Sequence, residues 1–379
     1  MKATPMKPFR FLQAALPAPR NMTNILEARF TSFLSAYRKR RFAALSPFNA
    51  IAIDDDFDGL IALGSSRSTH DSYRLNDDDV DMITRRARLI VARMNARSEG
   101  GHLTEDQVKR LQVATTTPKL VPVPDINAPD EIIDQLHREF PWMTPATDAV
   151  WQALRLSASR GDQGVRIPPL LLAGPPGIGK TTWARRLGSL IGVPTGIIEA
   201  TSEPASFALV GMQKGWTTAA SGKPMDLILR TQVANPIFII DEVEKAGRAM
   251  SHNGGVYDLA SSLLPLLERE SSKVWQCPYF QLPFDMSWIS WILTANDASL
   301  LPAPLRSRVI IIDLPALSID QVLDFTLKEG TRRGLSDASL EAALIALQRT
   351  AKGHTPPSLR TALRVLERAE AMEARPQLH

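Results

Sequence analysis

The chain has 379 residues, of which 44% are hydrophobic and 22% charged, a composition typical of a globular protein with two or three domains. It contains no apolar run near the ~20 residues that a membrane-spanning helix needs, so we expect no membrane partner. Its single cysteine, Cys277, excludes an intrachain disulfide and a cysteine-based zinc site. Because a lone cysteine suits a reducing compartment and no signal-peptide core is present, we expect a cytoplasmic protein.

Positive charge is concentrated in the first third of the chain. Residues 1–118 hold 18 Lys and Arg against 13 Asp and Glu, a net of +5, while the whole chain carries +4. Apolar residues spaced three to four apart predict helices from Asn24 to Arg41 and from about Asp79 to Arg97. The arginines of the second helix form either a surface for nucleic acid or an acidic partner, or a solvated helix face, and we favour the solvated face.

Composition also divides the chain into segments. Thr115–Pro129 carries four prolines without any periodicity, which predicts a linker. Short apolar runs then alternate with helical stretches, and the last segment is wholly helical. We therefore predict an N-terminal domain of unknown role, mainly α or α+β, at 1–118, a linker with helices at 119–165, a large α/β subdomain at 166–315 and a small all-α subdomain at 316–379.

Apolar runs within the α/β segment predict a parallel five-stranded sheet flanked by helices. The predicted strands are Leu170–Ala173, Ile197–Glu199, Ile237–Asp241, Ile289–Thr294 and Val309–Asp313.

A glycine-rich loop follows the first strand and carries the clearest functional signal. Residues 174–181 read G-x-x-x-x-G-K-T, a pattern whose backbone N–H groups surround phosphate oxygens at the N-terminus of a helix. We expect a side chain at Gly174 or Gly179 to crowd the phosphates, Lys180 to reach the β- and γ-phosphates, and Thr181 to ligate Mg²⁺. The predicted nucleotide-binding residues are Gly174, Pro175, Pro176, Gly177, Ile178, Gly179, Lys180, Thr181 and Thr182.

Two later strands also end in polar residues. Ile237–Asp241 is followed by Glu242, and the carboxyl ends of strands are where α/β sheets bind ligands. We predict that Asp241 holds Mg²⁺ and that Glu242 polarises the water that attacks the γ-phosphate. Asn296, which ends a third apolar strand, is placed to hydrogen-bond that water or the γ-phosphate.

With these elements the sequence resembles the AAA+ ATPases over about residues 168–370. The loop at 174–181, the acidic pair Asp241–Glu242, Asn296 and the run Pro304–Val309 stand in that family's order. Within the superfamily the chain is most similar to the ATPase module of Lon proteases, through segments 173–177, 241–245, 263–268 and 283–287. The resemblance implies an AAA+ P-loop module, with a small helical lid, that uses ATP and Mg²⁺.

The same resemblance assigns further roles. Arg308 stands at the position of the arginine finger, with Arg306 as the alternative, and a finger that serves a neighbouring subunit implies a homo-oligomeric ring, which we expect to be a hexamer. Arg360 stands at the sensor-2 position on the small subdomain. Trp216 stands where Lon-like rings carry a pore-loop aromatic that grips an extended protein substrate, although small polar residues follow it where the family has an aliphatic one.

We therefore expect an enzyme, a Mg²⁺-dependent ATPase that forms a ring and remodels or threads a protein substrate. The Ser–Lys peptidase domain and the long N-terminal substrate domain of Lon are not recognised, so we expect no protease activity of its own. Two alternatives stay open. One is a nucleic-acid-associated AAA+ ATPase, of the loader, defence or mobile-element type, that uses the basic N-terminal third. The other is a nucleotide switch or scaffold that does not hydrolyse ATP.

Overall fold

The computed structural model of the chain describes residues 9–45, 75–116, 118–201, 205–213, 219–246, 249–250, 256–351 and 358–374. The chain divides into two compact units, one formed by residues 14–112 and the other by the remainder. In the part of the chain that the structure describes, no helix combines the length and the apolarity that crossing a membrane requires.

Helices and strands alternate through the larger unit, whereas the described part of the smaller unit is helical. The helices are α1 (Met22–Leu45), α2 (Asp77–Ala96), α3 (Glu105–Thr116), α4 (Ala128–Glu139), α5 (Thr144–Arg160), α6 (Lys180–Ile191), α7 (Ala205–Val210), α8 (Lys223–Thr231), α9 (Leu259–Leu267), α10 (Arg269–Ser272), α11 (Ala303–Arg306), α12 (Ile319–Arg332), α13 (Asp337–Ala351) and α14 (Leu359–Glu373). The strands are β1 (Leu170–Ala173), β2 (Thr195–Glu199), β3 (Ile237–Asp241), β4 (Ala249–Met250), β5 (Val256–Tyr257), β6 (Trp275–Gln276), β7 (Pro283–Phe284), β8 (Ser290–Ala295) and β9 (Ile310–Asp313).

A parallel five-stranded sheet in the order β2-β3-β8-β1-β9 forms the centre of the larger unit. Its three middle strands are buried along their apolar length, which explains why they read as continuous Leu and Ile runs instead of alternating ones. The register pairs Ala173 of β1 with Ala295 of β8, and Ile240 of β3 with Leu293 of β8. The carboxyl ends of β3, β8 and β1 therefore meet at one edge, and the predicted parallel α/β sheet is confirmed.

Helix α6 packs on this sheet and fixes the loop that precedes it. Its buried residues include Trp183, Leu187 and Ile191, a spacing of four that places them on one helix face. The Trp183 indole donates to Thr147 Oγ1 of α5 at 3.1 Å, so the polar atom of a fully buried ring is satisfied. Because α6 begins at Lys180, this packing holds its first turn at the carboxyl edge of the sheet.

Helices α12, α13 and α14 form a small helical subdomain with a core of Leu335, Leu340, Ala343 and Leu366. Gly330 allows α12 and α13 to approach closely, because a Cβ there would lie 2.2 Å from Leu340 Cδ2. The backbone N–H of Leu359, the first residue of α14, donates to the carbonyl of Gly177 at 3.0 Å. The subdomain therefore contacts the glycine loop, residues 174–181, directly.

A short N-terminal segment also belongs to the larger unit. Leu12 forms an antiparallel bridge with Phe284 of β7, and the carbonyl of Phe11 accepts from the N–H of Asp285 at 2.8 Å. Phe11 and Leu12 are both buried. Residues 9–13 therefore belong to the larger unit, and the chain enters and leaves the smaller unit, residues 14–112, from the larger one. The N-terminal domain predicted at 1–118 would include residues 9–13, and it stays a prediction.

The smaller unit is held together by a capped helix and a charged contact. Helix α2 begins with a capping box formed by Asn76 and Asp79, and Arg38 of α1 pairs with Asp79 at 2.6 Å. The backbone N–H of Asn76 and the Arg38 guanidinium lower the pKa of Asp79, against a burial effect that raises it. Ile83 and Ala87 of α2 are buried, whereas Met94, whose spacing predicts the same face, is exposed.

Helices α1 and α2 expose aromatic and basic side chains to solvent. Among the α1 side chains that the structure describes, residues 22–41, none is buried. Phe33 and Tyr37 are 68% and 52% exposed, and their rings stack at 15° with centroids 6.4 Å apart. The exposed arginines of α2 are Arg85, Arg86, Arg88 and Arg93. Such exposure agrees with a solvated face, and a surface for an anionic partner would require it equally.

Candidate nucleotide-binding site

A cavity of about 1000 Å³ opens at the carboxyl edge of the sheet, where the glycine loop meets the small helical subdomain. It brings together most of the residues predicted from the sequence. Those that line it are Pro176, Gly177, Ile178, Gly179, Lys180, Thr181, Thr182, Asp241, Glu242, Asn296 and Arg360. Arg308 is not among the lining residues, and Trp216 lies outside the described residues.

The glycines of the loop are required for two different reasons. Gly177 and Gly179 have φ values of +80° and +93°, a backbone conformation that L side chains rarely adopt. Gly174 instead lacks room, because a Cβ there would lie 2.5 Å from the carbonyl oxygen of Leu314. A side chain at Gly174 would therefore clash with the backbone just after β9, which differs from the expectation that it would crowd the phosphates.

The Lys180 side chain is buried against the backbone of the glycine loop. Its Nζ donates to the carbonyl oxygens of Gly174 at 2.5 Å and Pro175 at 3.1 Å. Burial lowers the pKa of Lys180, while the carboxylates of Glu244, Asp241 and Glu242 oppose that shift. The site thus combines a buried cation with three acidic side chains at the end of β3.

Two threonine hydroxyls converge on Asp241. Thr181 Oγ1 donates to Asp241 Oδ1 at 2.9 Å, and Thr294 Oγ1 of β8 donates to the same oxygen. Thr294 Oγ1 also accepts the backbone N–H of Glu242 at 3.0 Å, and the residue is fully buried. Thr294 therefore fixes both acidic residues, a role that the sequence analysis missed because Thr294 was assigned only as part of an apolar strand.

Glu242 has an uncommon backbone conformation. Its φ of +54° lies in the left-handed region, which costs a non-glycine residue free energy and is concentrated at functional sites. The Lys245 ammonium contacts Glu242 Oε1 at 2.8 Å, and this hydrogen bond raises the pKa of Lys245. The Glu242 side chain is 37% exposed, so the carboxylate stands at the cavity surface instead of in the core.

Asn296 is held by a second acidic residue of the same turn. Its backbone N–H and its side-chain Nδ2 donate to Glu244 Oε1 at 3.0 Å and 2.8 Å. Its Oδ1 lies 3.5 Å from Lys180 Nζ. Glu244 was noted in the sequence only as part of the run that resembles Lon, so its contact with Asn296 is a finding of the structure.

Comparisons with known proteins match the segment that holds most of this site. Residues 170–315 match the family model described as "ATPase family associated with various cellular activities (AAA)". We refer to this matched segment as the AAA domain. The matched range runs from β1 to two residues after β9. It therefore includes the carboxyl ends of β1, β3 and β8, where the cavity opens.

Individual relatives match the same region of the chain. A Lon protease from Elusimicrobium minutum is 31% identical over 206 residues, which are 51% of this chain and 23% of that protein. Peroxisomal Lon protease homolog 2 from Zea mays is 27% identical over 263 residues, 67% of this chain and 29% of that protein. The chain thus spans about a quarter of the length of these relatives, and its resemblance to the ATPase module of Lon proteases is confirmed.

Among solved structures, a RuvB mutant from Thermotoga maritima matches with 19% identity and a TM-score of 0.39, covering 59% of this chain and 61% of that one.

The helical segment before β1 also borders the site of the AAA domain. Phe140 lines the cavity, and the indole of Trp142 donates to the carbonyl of Ile178 at 2.9 Å. Trp142 is buried, so this bond connects the glycine loop to the turn between α4 and α5. In the sequence, Pro141–Trp142 marked only a break between two helices, because a contact with residue 178 has no local signature.

The two predicted arginines occupy different places, Arg308 within the matched residues and Arg360 on the small helical subdomain. Arg360 lines the cavity from the start of α14 and is exposed. Arg308 lies outside it, with Nη1 donating to the carbonyl of Pro304 at 3.3 Å and Nη2 lying 3.7 Å from Glu268. The Arg308 side chain remains 35% exposed. Its finger role and the sensor-2 role of Arg360 stay predictions.

Proposed function

We propose that this chain is a Mg²⁺-dependent ATPase that works as a homo-oligomeric ring, a hexamer, and remodels or threads a protein substrate. The observation that carries the proposal is the convergence of Lys180, Thr181, Asp241, Glu242 and Asn296 on one cavity. This set combines a phosphate-binding loop, oxygen ligands for a metal and a carboxylate base, the parts that phosphoryl transfer to water requires.

The residues present suit both ATP and Mg²⁺. The left-handed glycines leave the loop backbone open to phosphate oxygens, and the N-terminus of α6 adds a positive electrostatic potential. Thr181 Oγ1 and the Asp241 carboxylate already contact each other, and hard oxygen ligands of this kind are those that Mg²⁺ prefers. Bound Mg²⁺ would neutralise charge that develops on the phosphate oxygens.

The remaining roles fall to side chains of the chain itself. Lys180 would bind the β- and γ-phosphates, and its ammonium is the buried cation of the cavity. Glu242 would accept a proton from the attacking water, because its carboxylate lies at the cavity surface. Asn296 would orient that water, and Arg360 would join the site from the small helical subdomain.

The position of Arg308 supports the proposed ring. An arginine that stabilises the γ-phosphate has to reach the nucleotide, and Arg308 does not line the cavity of its own chain. A neighbouring subunit in a closed ring would supply it in trans. Trp216, in the predicted pore loop, would then grip the substrate.

Nucleotide binding is tested with Lys180→Ala. We expect the wild-type chain to release phosphate from ATP only when Mg²⁺ is present, and the variant to bind ATP about 10- to 100-fold more weakly, because charged hydrogen bonds to phosphate are lost. Binding of a fluorescent ATP analogue and phosphate release are the measurements. Lys223→Ala is the matched control, since its Nζ lies 3.5 Å from the Ile197 carbonyl at an exposed position outside the cavity. Equal affinity in the two variants would contradict the assignment of Lys180.

A nucleic-acid substrate is the second candidate, favoured by the exposed face of α1 and α2. Exposed arginines attract phosphates, and the stacked pair Phe33 and Tyr37 could stack with unpaired bases. ATP turnover measured with single-stranded DNA, with an unfolded protein and with neither separates the candidates. Stimulation by DNA that falls steeply with salt supports this candidate, and stimulation by the unfolded protein alone supports remodelling.

A further inference from the structure

Glu244 stands in an unusual environment beside the proposed reaction site. It follows Glu242 by two residues on the short turn after β3, and its Oε1 accepts both the backbone N–H and the Nδ2 of Asn296. Its other oxygen, Oε2, is buried and has no hydrogen-bond partner among the residues that the structure describes. A buried oxygen without a partner destabilises a fold, so this carboxylate is poorly explained as a contribution to stability alone.

The neighbours of Asn296 determine which end of its amide faces the cavity. A carboxylate only accepts hydrogen bonds and an ammonium only donates them. Glu244 therefore requires the NH₂ group on its side, and Lys180 requires the oxygen on the other, where Oδ1 lies 3.5 Å from Nζ. The two charged groups enforce the same orientation, and the opposite one would face NH₂ toward the ammonium and oxygen toward the carboxylate.

We propose that Glu244 is a positioning residue that fixes the Asn296 amide with its oxygen toward the cavity, so that Asn296 accepts a hydrogen bond from the attacking water. This inference rests on the ATP hydrolysis proposed above. The water then has two acceptors. Asn296 Oδ1 accepts a hydrogen bond from one O–H, and the Glu242 carboxylate takes the proton of the other. As the water oxygen bonds to the γ-phosphorus, the bond from that phosphorus to the bridging oxygen breaks and ADP leaves with the electron pair. An amide fixed in this way orients the water without donating to it.

The two carboxylates of this turn, Glu242 and Glu244, have different surroundings and different proposed roles. Glu242 lines the cavity, whereas Glu244 is bound by Asn296, the residue that follows β8. A change at Glu244 should thus act on catalysis through Asn296.

Glu244→Gln tests the proposal, because a glutamine offers both an acceptor and a donor to Asn296 and no longer enforces one orientation. We expect kcat for ATP to fall about tenfold, the effect of one misdirected hydrogen bond, while ATP affinity is no weaker than in wild type. Glu244→Asp, which keeps an acceptor-only group, should retain more of kcat than Glu244→Gln. In an Asn296→Ala background, Glu244→Gln should have almost no further effect on kcat, since coupled residues are not additive.

Three results would overturn the inference. The first is a wild-type kcat in Glu244→Gln. The second is a fall of kcat in the Asn296→Ala background equal to that in the wild-type background. The third is a loss of ATP affinity by the same factor as kcat, or a melting temperature so low that unfolding alone accounts for the loss of kcat. A wild-type chain without Mg²⁺-dependent ATP turnover would instead contradict the proposed function, so the two failures are distinguishable.

Discussion

Glu242→Gln is expected to lower ATP turnover by about 10²- to 10⁴-fold, the range that loss of a general base produces, while ATP still binds. Glutamine preserves the size of the side chain and removes its capacity to take a proton, together with the charge that pairs with Lys245. The backbone of the turn should persist, because the N–H of residue 242 is held by Thr294 Oγ1 and not by the carboxylate. Phosphate release and nucleotide affinity, measured on the same preparation, separate the two effects.

Glu199→Gln is the matched control for this substitution. Glu199 also ends a strand of the sheet, pairs in register with Asp241 and does not line the cavity. We expect the control to keep turnover near that of the wild type. If Glu242→Gln hydrolyses ATP as fast as the control, Glu242 is not the base and the assignment is wrong.

Arg308→Ala is expected to lower turnover by about 10³-fold or more, as removal of an arginine finger does, again with ATP binding intact. The affinity should persist because Arg308 does not line the cavity of its own chain. Its present contacts, with Pro304 and Glu268, are partly exposed, and exposed ion pairs contribute little to stability. The melting temperature should therefore change little.

Mixing two inactive variants tests whether Arg308 acts in trans. Subunits with Arg308→Ala keep an intact cavity, and subunits with Lys180→Ala keep an intact Arg308. In mixed assemblies, sites with one intact half from each subunit should recover turnover that neither variant shows alone. Arg306→Ala, at the exposed alternative position, should remain active. No recovery on mixing, or a greater loss in Arg306→Ala than in Arg308→Ala, would contradict the trans role of Arg308.

Local patterns in the sequence were sufficient to predict the sheet and the positions of the acidic and amide groups. Buried parallel strands read as apolar runs, and the glycine–lysine motif has a fixed spacing, so Lys180 and Asp241 could be placed at one sheet edge before any coordinates. The hydrogen bonds of Thr294 and Trp142 could not be predicted in this way. They depend on the register between β3 and β8 and on how α4 approaches the glycine loop, and neither has a signal in neighbouring residues.

Gly174 shows the same limit from the opposite direction. The motif correctly indicated that only glycine is tolerated there, but the reason lies 140 residues away along the chain, in the carbonyl of Leu314. Likewise, the sequence placed Arg308 by its order among motifs, while the structure adds that it is far enough from the cavity not to line it. Contacts between residues far apart in the chain determine both the constraint on Gly174 and the position of Arg308. Such contacts leave no pattern in the neighbouring residues of a single sequence.

The hydrogen bond from Leu359 to Gly177 has a mechanical consequence. Hydrogen bonds of this type become weak beyond about 3.2 Å between donor and acceptor, and this one measures 3.0 Å. A rotation of the small helical subdomain that carries Leu359 outward by as little as ~1 Å would break it. The angle of the subdomain and the shape of the glycine loop are therefore coupled for as long as this bond persists. In the proposed ATPase, a movement of the subdomain on nucleotide binding would act on the loop through this main-chain contact and through the core that Leu359 shares with Ile178.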